Sequence, residues 1–112
     1  MNPTPAERRE RARQARDAFP PMGVYAIRDR ASGSVRIASS RNVHAAINRA
    51  QFELRLGQHK DKDLQDAWKH DGPDRVAFEV LELVKERTEA GFNYAAELKD
   101  LEALHRAMLE AA

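Results

Sequence analysis

The chain has 112 residues, 42% of them hydrophobic and 33% charged, which fits one ordinary globular domain with a modest core. It has no cysteine, which excludes disulfides, cysteine-ligated zinc and thiol catalysis, and fits a reducing, cytoplasmic setting. The net charge of +1 conceals a split: residues 1–60 carry 12 Lys/Arg against 5 Asp/Glu, and residues 61–112 carry 7 against 13. Such a split means either a basic face for phosphate or two halves that neutralise each other across the fold.

The N-terminal stretch MNPTPAERRERARQARDAF lacks the apolar centre of a signal peptide, and no run approaches the roughly 18 apolar residues of a membrane span. Ala6 to Ala18 reads as a helix of Arg, Glu, Gln and Ala, capped by Thr4, opened by Pro5 and ended by Pro20-Pro21. Its thin apolar face marks residues 1–21 as a basic helical arm, leaving 22–112 as the domain proper. Gly23 to Asp29 reads as a strand, Ala31-Ser32-Gly33 as a turn and Ser34 to Ser39 as a second strand, together a β-hairpin.

Asn42 caps a helix whose Val43, Ala46, Ile47, Ala50 and Leu54 share one stripe, and Gly57 closes it. Asp63 to His70 is a short helix with Leu64, Ala67 and Trp68 inward, stopped by Gly72-Pro73. Val76 to Val84 is a third strand. Tyr94, Leu98, Leu101, His105 and Met108 line a final amphipathic helix, with Leu104 beside them. The predicted class is α+β: a small three-stranded antiparallel sheet, hairpin plus third strand, flanked by helices that must cover at least one of its faces. His44, His70 and His105 form no zinc-ligand spacing.

Several short motifs recur in one order. Gly23-Val24-Tyr25 on the first strand is similar to the GIY element of the GIY-YIG nucleases. Arg36-Ile37-Ala38-Ser39-Ser40 stands where that family carries YIG and small polar residues. Gly57-Gln58-His59, Leu64-Gln65-Asp66-Ala67-Trp68, Phe78-Glu79-Val80-Leu81-Glu82 and Leu101-Glu102 follow at matching spacings. The chain thus resembles this family over about residues 22 to 108, in an atypical, motif-degenerate form. The resemblance implies phosphodiester hydrolysis with one divalent metal, usually magnesium. In that family the two motif tyrosines sit on adjacent strands and one helps activate the attacking water, a helix arginine holds the phosphate, and a glutamate on the last helix binds the metal. A hard cation suits carboxylate oxygen, and a phosphoryl transition state needs positive charge.

On that mapping Tyr25 takes the first tyrosine position and Glu102 the metal-ligand position. Arg36 replaces the second tyrosine and cannot act as a base near neutral pH. Ala38 replaces the YIG glycine. Ala46 falls at the arginine position, with Arg49 three residues later and within reach of a similar spot. The resemblance therefore implies Tyr25, Arg36 and Glu102 as the catalytic set, Arg36, Arg49 and His59 as nucleic-acid contacts, and magnesium at Glu102. Each has a plainer reading: a packed strand tyrosine, exposed arginines, a helix-capping histidine, a solvated glutamate. Three functions stay open. The leading one is a nucleic-acid-binding domain, for DNA above RNA, with weak or absent cleavage. The others are an active magnesium-dependent endonuclease using Arg36 and Arg49 as substitutes, and a protein-interaction module that kept only the scaffold.

Overall fold

The computed structural model describes residues 4–17 and 19–111, and of residues 12–17 the backbone alone. In chain order they form α1 (Pro5–Asp17), β1 (Gly23–Asp29), β2 (Val35–Ser40), α2 (Val43–Leu56), α3 (Lys62–Asp71), a 3-10 turn (Pro73–Arg75), β3 (Val76–Leu83) and α4 (Tyr94–Ala111). The predicted elements agree to within a few residues. Ala18, the predicted end of the first helix, lies outside the described residues. No helix among the described residues is long and apolar enough to cross a membrane.

Local chemistry sets the element ends. Thr4 and Glu7 form a reciprocal capping box: Thr4 Oγ1 accepts from the Glu7 amide at 3.1 Å, and Glu7 Oε2 accepts from the Thr4 amide at 3.2 Å. Asn42 Oδ1 accepts from the Ala45 amide at 3.0 Å to start α2, and Gly57, at φ 74°, closes it in the left-handed conformation. Asp61 caps α3 through the Leu64 amide at 3.2 Å.

The sheet order is β2-β1-β3 with both pairings antiparallel. Gly23 lies opposite Leu83, and a Cβ at that position would collide with the carbonyl oxygen of Glu82. A bulge follows at once. Val24 pairs with Glu82 but Tyr25 with Val80, so Leu81 is skipped.

Because cross-strand partners share a face, the register sorts the core. Ile27 packs with Ala50 and Leu54 of α2, Leu64 of α3 and Val76 of β3, flanked by Tyr25, Trp68 and Phe78. On the opposite face Val24, Ala26 and Ile37 pack under Leu81 and Leu101, and Met22, Val84 and Leu98 extend that layer. Both faces are therefore covered, α2 and α3 on one side and α4 on the other.

The hairpin turn is anchored by Asp29, a buried carboxylate. Its Oδ1 accepts from the Ala31 and Ser32 amides at 3.0 and 3.4 Å. Arg75 grips both its oxygens, at 2.9 and 3.1 Å, and also reaches Asp71 at 2.7 Å. This bidentate pairing holds the Asp29 carboxyl far below the usual carboxylate range.

One expectation is corrected. Met108, predicted to face inward with Leu104 beside it, is 57% exposed, and Leu104 is 51% exposed. The row of α4 that meets the sheet includes Leu98, Leu101, Glu102, His105 and Arg106, because the last three bond to Ser39, Glu82 and Ile37. The row through Leu104 and Met108 consequently turns outward.

Candidate active site

Where β2 runs into α2, the chain leaves an open cleft of about 700 Å³. Tyr25, Arg36, Ala38 and Ser40 form its sheet wall, Ala46, Arg49 and Glu53 its α2 wall, and His59, Lys60 and Asp61 close one end. Tyr25 and Arg36 sit on adjacent strands and share a face, since Tyr25 pairs with Ala38 and Arg36 with Ile27, two residues along β1. The half-buried Tyr25 phenol has its pKa raised, first by burial and then by the negative charge of Glu102. It therefore stays protonated near neutral pH and is a poor base there.

Arg36 is already engaged. Its Nε donates to Asp61 Oδ2 at 2.8 Å, Nη2 to Asp61 Oδ1 at 3.4 Å and Nη1 to Ser34 Oγ at 2.6 Å. Burial alone would push the Asp61 carboxyl up, but hydrogen bonds from Arg36 and the Leu64 amide outweigh it and hold the group below its ordinary value. His59 stands next in this chain: its Nδ1 accepts from the Asp61 amide at 3.0 Å, which leaves Nε2 for the proton of the neutral ring. The loop is fixed from behind by Gln65, a buried amide that accepts from the His59 amide at 2.9 Å and donates to the Leu54 carbonyl at 3.0 Å.

Arg49 lines the same cleft and pairs with Glu53 at 3.3 Å, one helical turn on, with its side chain 82% exposed. A pair so exposed contributes little and opens readily. Arg41 and Lys60, also exposed and also lining the cleft, have no ion-pair partner among the described residues. Arg41, Glu53, Lys60 and Asp61 also line the cleft but belong to none of the motifs; the local signals for them are the spacing of Arg49 and Glu53 on one helix face and the place of Asp61 just before α3.

The structure thus brings Tyr25, Arg36, Arg49 and His59 to one cleft, with Ala46 in the wall beside Arg49. Glu102 is not among the cleft-lining residues. It approaches from the α4 side of the sheet, near enough for its charge to act on Tyr25, with Ser39 between helix and cleft. Glu102 Oε2 accepts from Ser39 Oγ at 3.2 Å, and Oε1 pairs with Arg106 Nη2 at 2.7 Å.

Among solved structures, the chain is similar to the catalytic domain of homing endonuclease I-TevI, with a TM-score of 0.61 and 19% identity over 80% of this chain and 88% of that one. A mutant form of the catalytic domain of intron endonuclease I-TevI matches with a TM-score of 0.51 and 20% identity, over 71% of this chain and 82% of the other. No protein-family model and no curated protein matches. At this identity the likeness shows the fold: the chain has a GIY-YIG-like α+β fold, that of a nuclease catalytic domain.

The divalent ion implied by that resemblance can be tested against the donors present. A hard cation such as magnesium takes one or two carboxylates and completes its shell with water and phosphate oxygens. Glu102 offers one carboxylate, and one of its oxygens is paired with Arg106 at 2.7 Å. Among the described residues no three His, Asp or Glu side chains gather to hold an ion. A lone carboxylate already paired with a guanidinium is a weak site for a resident divalent cation.

Proposed function

We propose that this domain binds nucleic acid, DNA in the first instance, through the cleft between β2 and α2, and that it cleaves weakly or not at all. The observation that carries this reading is the lining of the cleft: Arg36, Arg41, Arg49 and Lys60 against only Glu53 and Asp61, beside the half-buried phenol of Tyr25. Phosphate contacts of this kind supply affinity without sequence preference. The nuclease fold, shared with an endonuclease catalytic domain, supports the same substrate class.

Three features of the chain argue for weak cleavage. Arg36 supplies charge at the second tyrosine position but no base. The raised pKa of Tyr25 disfavours the phenolate. Glu102 is not among the cleft-lining residues and is paired with Arg106. Loss of a positioned base costs about 10²–10⁴-fold in rate, and loss of a preorganised charge about 10²–10³-fold. Coupled groups need not multiply.

The test is DNA binding across a salt series. Affinity falls steeply as salt rises, because binding releases condensed counterions. Arg49→Ala weakens binding across sequences and flattens the salt slope by about one unit. Branched and linear DNA incubated with magnesium or manganese remains uncut. Nicking that disappears on Glu102→Ala would replace this reading with the active endonuclease. Absence of binding at low salt would leave the interaction module.

A further inference from the structure

Glu102 and Arg106 lie one turn apart on α4, and their pairing has an unusual third member. Arg106 Nη2 meets Glu102 Oε1 at 2.7 Å and also donates to the carbonyl oxygen of Ile37 at 2.9 Å. Ile37 belongs to β2, an edge strand of the sheet. The guanidinium is therefore tied down at two acceptors, one on its own helix and one on the sheet, rather than swinging free as most surface arginines do. The other carboxylate oxygen, Oε2, is bonded by Ser39 Oγ. His105, the next side chain that could serve as a donor, is engaged by Glu82 at 3.0 Å.

We propose that Arg106 is the resident cation of Glu102, holding that carboxylate in place of a divalent ion so that metal binds there only when the guanidinium is withdrawn. Arg106 is on this account a positioning residue that acts through Glu102. The inference rests on the reading of Glu102 as a site residue, and it makes weak metal dependence a built-in property of α4. A divalent ion approaching Glu102 must displace a charge-assisted hydrogen bond and then sit beside the displaced positive charge. Both effects lower affinity.

The test is manganese binding to the full chain, followed by paramagnetic broadening of backbone amide signals in the wild type, Arg106→Gln and Arg106→Lys. Glutamine keeps a polar amide but carries no charge, and lysine keeps the charge. Arg106→Gln binds manganese on the order of tenfold more tightly, with broadening centred on Ser39 and Glu102. Arg106→Lys stays close to the wild type. Adding Glu102→Gln to Arg106→Gln abolishes the gain. The dispersion of the amide spectrum reports folding of each variant independently. Equal broadening around Glu102 in the wild type and Arg106→Gln overturns the proposal while leaving Glu102 a metal ligand. No broadening there in any form overturns both the proposal and the assignment of Glu102, whereas the salt-dependent DNA binding of the cleft stands or falls separately.

Discussion

The two faces of the sheet are built from the same few strands but are closed in different ways. The α2–α3 face buries Ile27, Leu54 and Leu64 at its centre and then opens at one end into a charged cleft. The α4 face buries Val24, Ala26 and Ile37, and along α4 its border is a row of paired polar groups, Glu102 with Arg106 and Ser39, His105 with Glu82. Each face holds an arginine paired with a carboxylate beside the candidate site, Arg36 with Asp61 and Arg106 with Glu102. Of the groups that the family resemblance would unite, Tyr25, Arg36 and Arg49 line the cleft, while Glu102 on α4 meets the cleft wall through Ser39. Arg36 and Arg106 are thus paired before any phosphate arrives, whereas Arg41 and Lys60 in the cleft have no ion-pair partner among the described residues.

Truncation of the two cores offers the largest contrast. Leu64 is 1% exposed and sits among α2, β1 and β3, while Leu98 is 6% exposed near the start of α4. Leu64→Ala costs about 2–5 kcal/mol, and Leu98→Ala falls below it. Denaturant melts of the two variants decide the matter, and a larger loss at Leu98 would reverse the ranking of the faces.

The Asp29–Arg75 corner adds a pH dependence. The Asp29 carboxyl is depressed in the folded state relative to an ordinary aspartate of about 3.9. Its contribution is complete above that ordinary value, where both states are ionised. It is lost as pH falls below it, because the unfolded chain takes the proton first. Asp29→Asn keeps an acceptor for the turn but removes the charge. Unfolding midpoints at pH 7 therefore differ between wild type and variant, and the gap starts to narrow only as pH falls below about 4. Parallel midpoints across that range would show that the pair is not the source of the acid sensitivity.

A smaller effect tests whether pre-pairing limits the cleft. Asp61→Asn still caps α3, since asparagine caps as well as aspartate, but it releases Arg36. DNA binding tightens several-fold and its salt slope steepens by about one unit. Unchanged binding would mean that Arg36 faces no phosphate. Smallest of all, Glu53→Gln alters stability by no more than about 0.5 kcal/mol, because its partner Arg49 is largely exposed. Thermal melts resolve a larger shift if the pair matters more than its exposure implies.

Much of this architecture was legible in the chain. Asn42 and Gly57 mark the ends of α2 because capping chemistry is local: a side-chain acceptor within three residues at one end and a left-handed glycine at the other. The turn at Ala31-Ser32-Gly33 fixed the hairpin, and alternation along β1 put Tyr25 and Ile27 on one face. The outward turn of Met108 was not legible. Helical periodicity locates an apolar stripe but not which edge of it the sheet will meet, and that edge was set by Glu102, His105 and Arg106 finding polar partners on the strands.

The same division holds for the site. Short-range patterns in the sequence determined the element order, the caps and the placement of Tyr25 and Arg36 on neighbouring strands. Tertiary structure alone decided what those side chains meet. Arg36 finds Asp61 across 25 residues of chain, and Glu102 finds Ser39 across 63. Such pairings depend on how helices lie against the sheet, and packing of buried apolar surface sets that geometry, so charges far apart in sequence become neighbours without any local pattern to announce them.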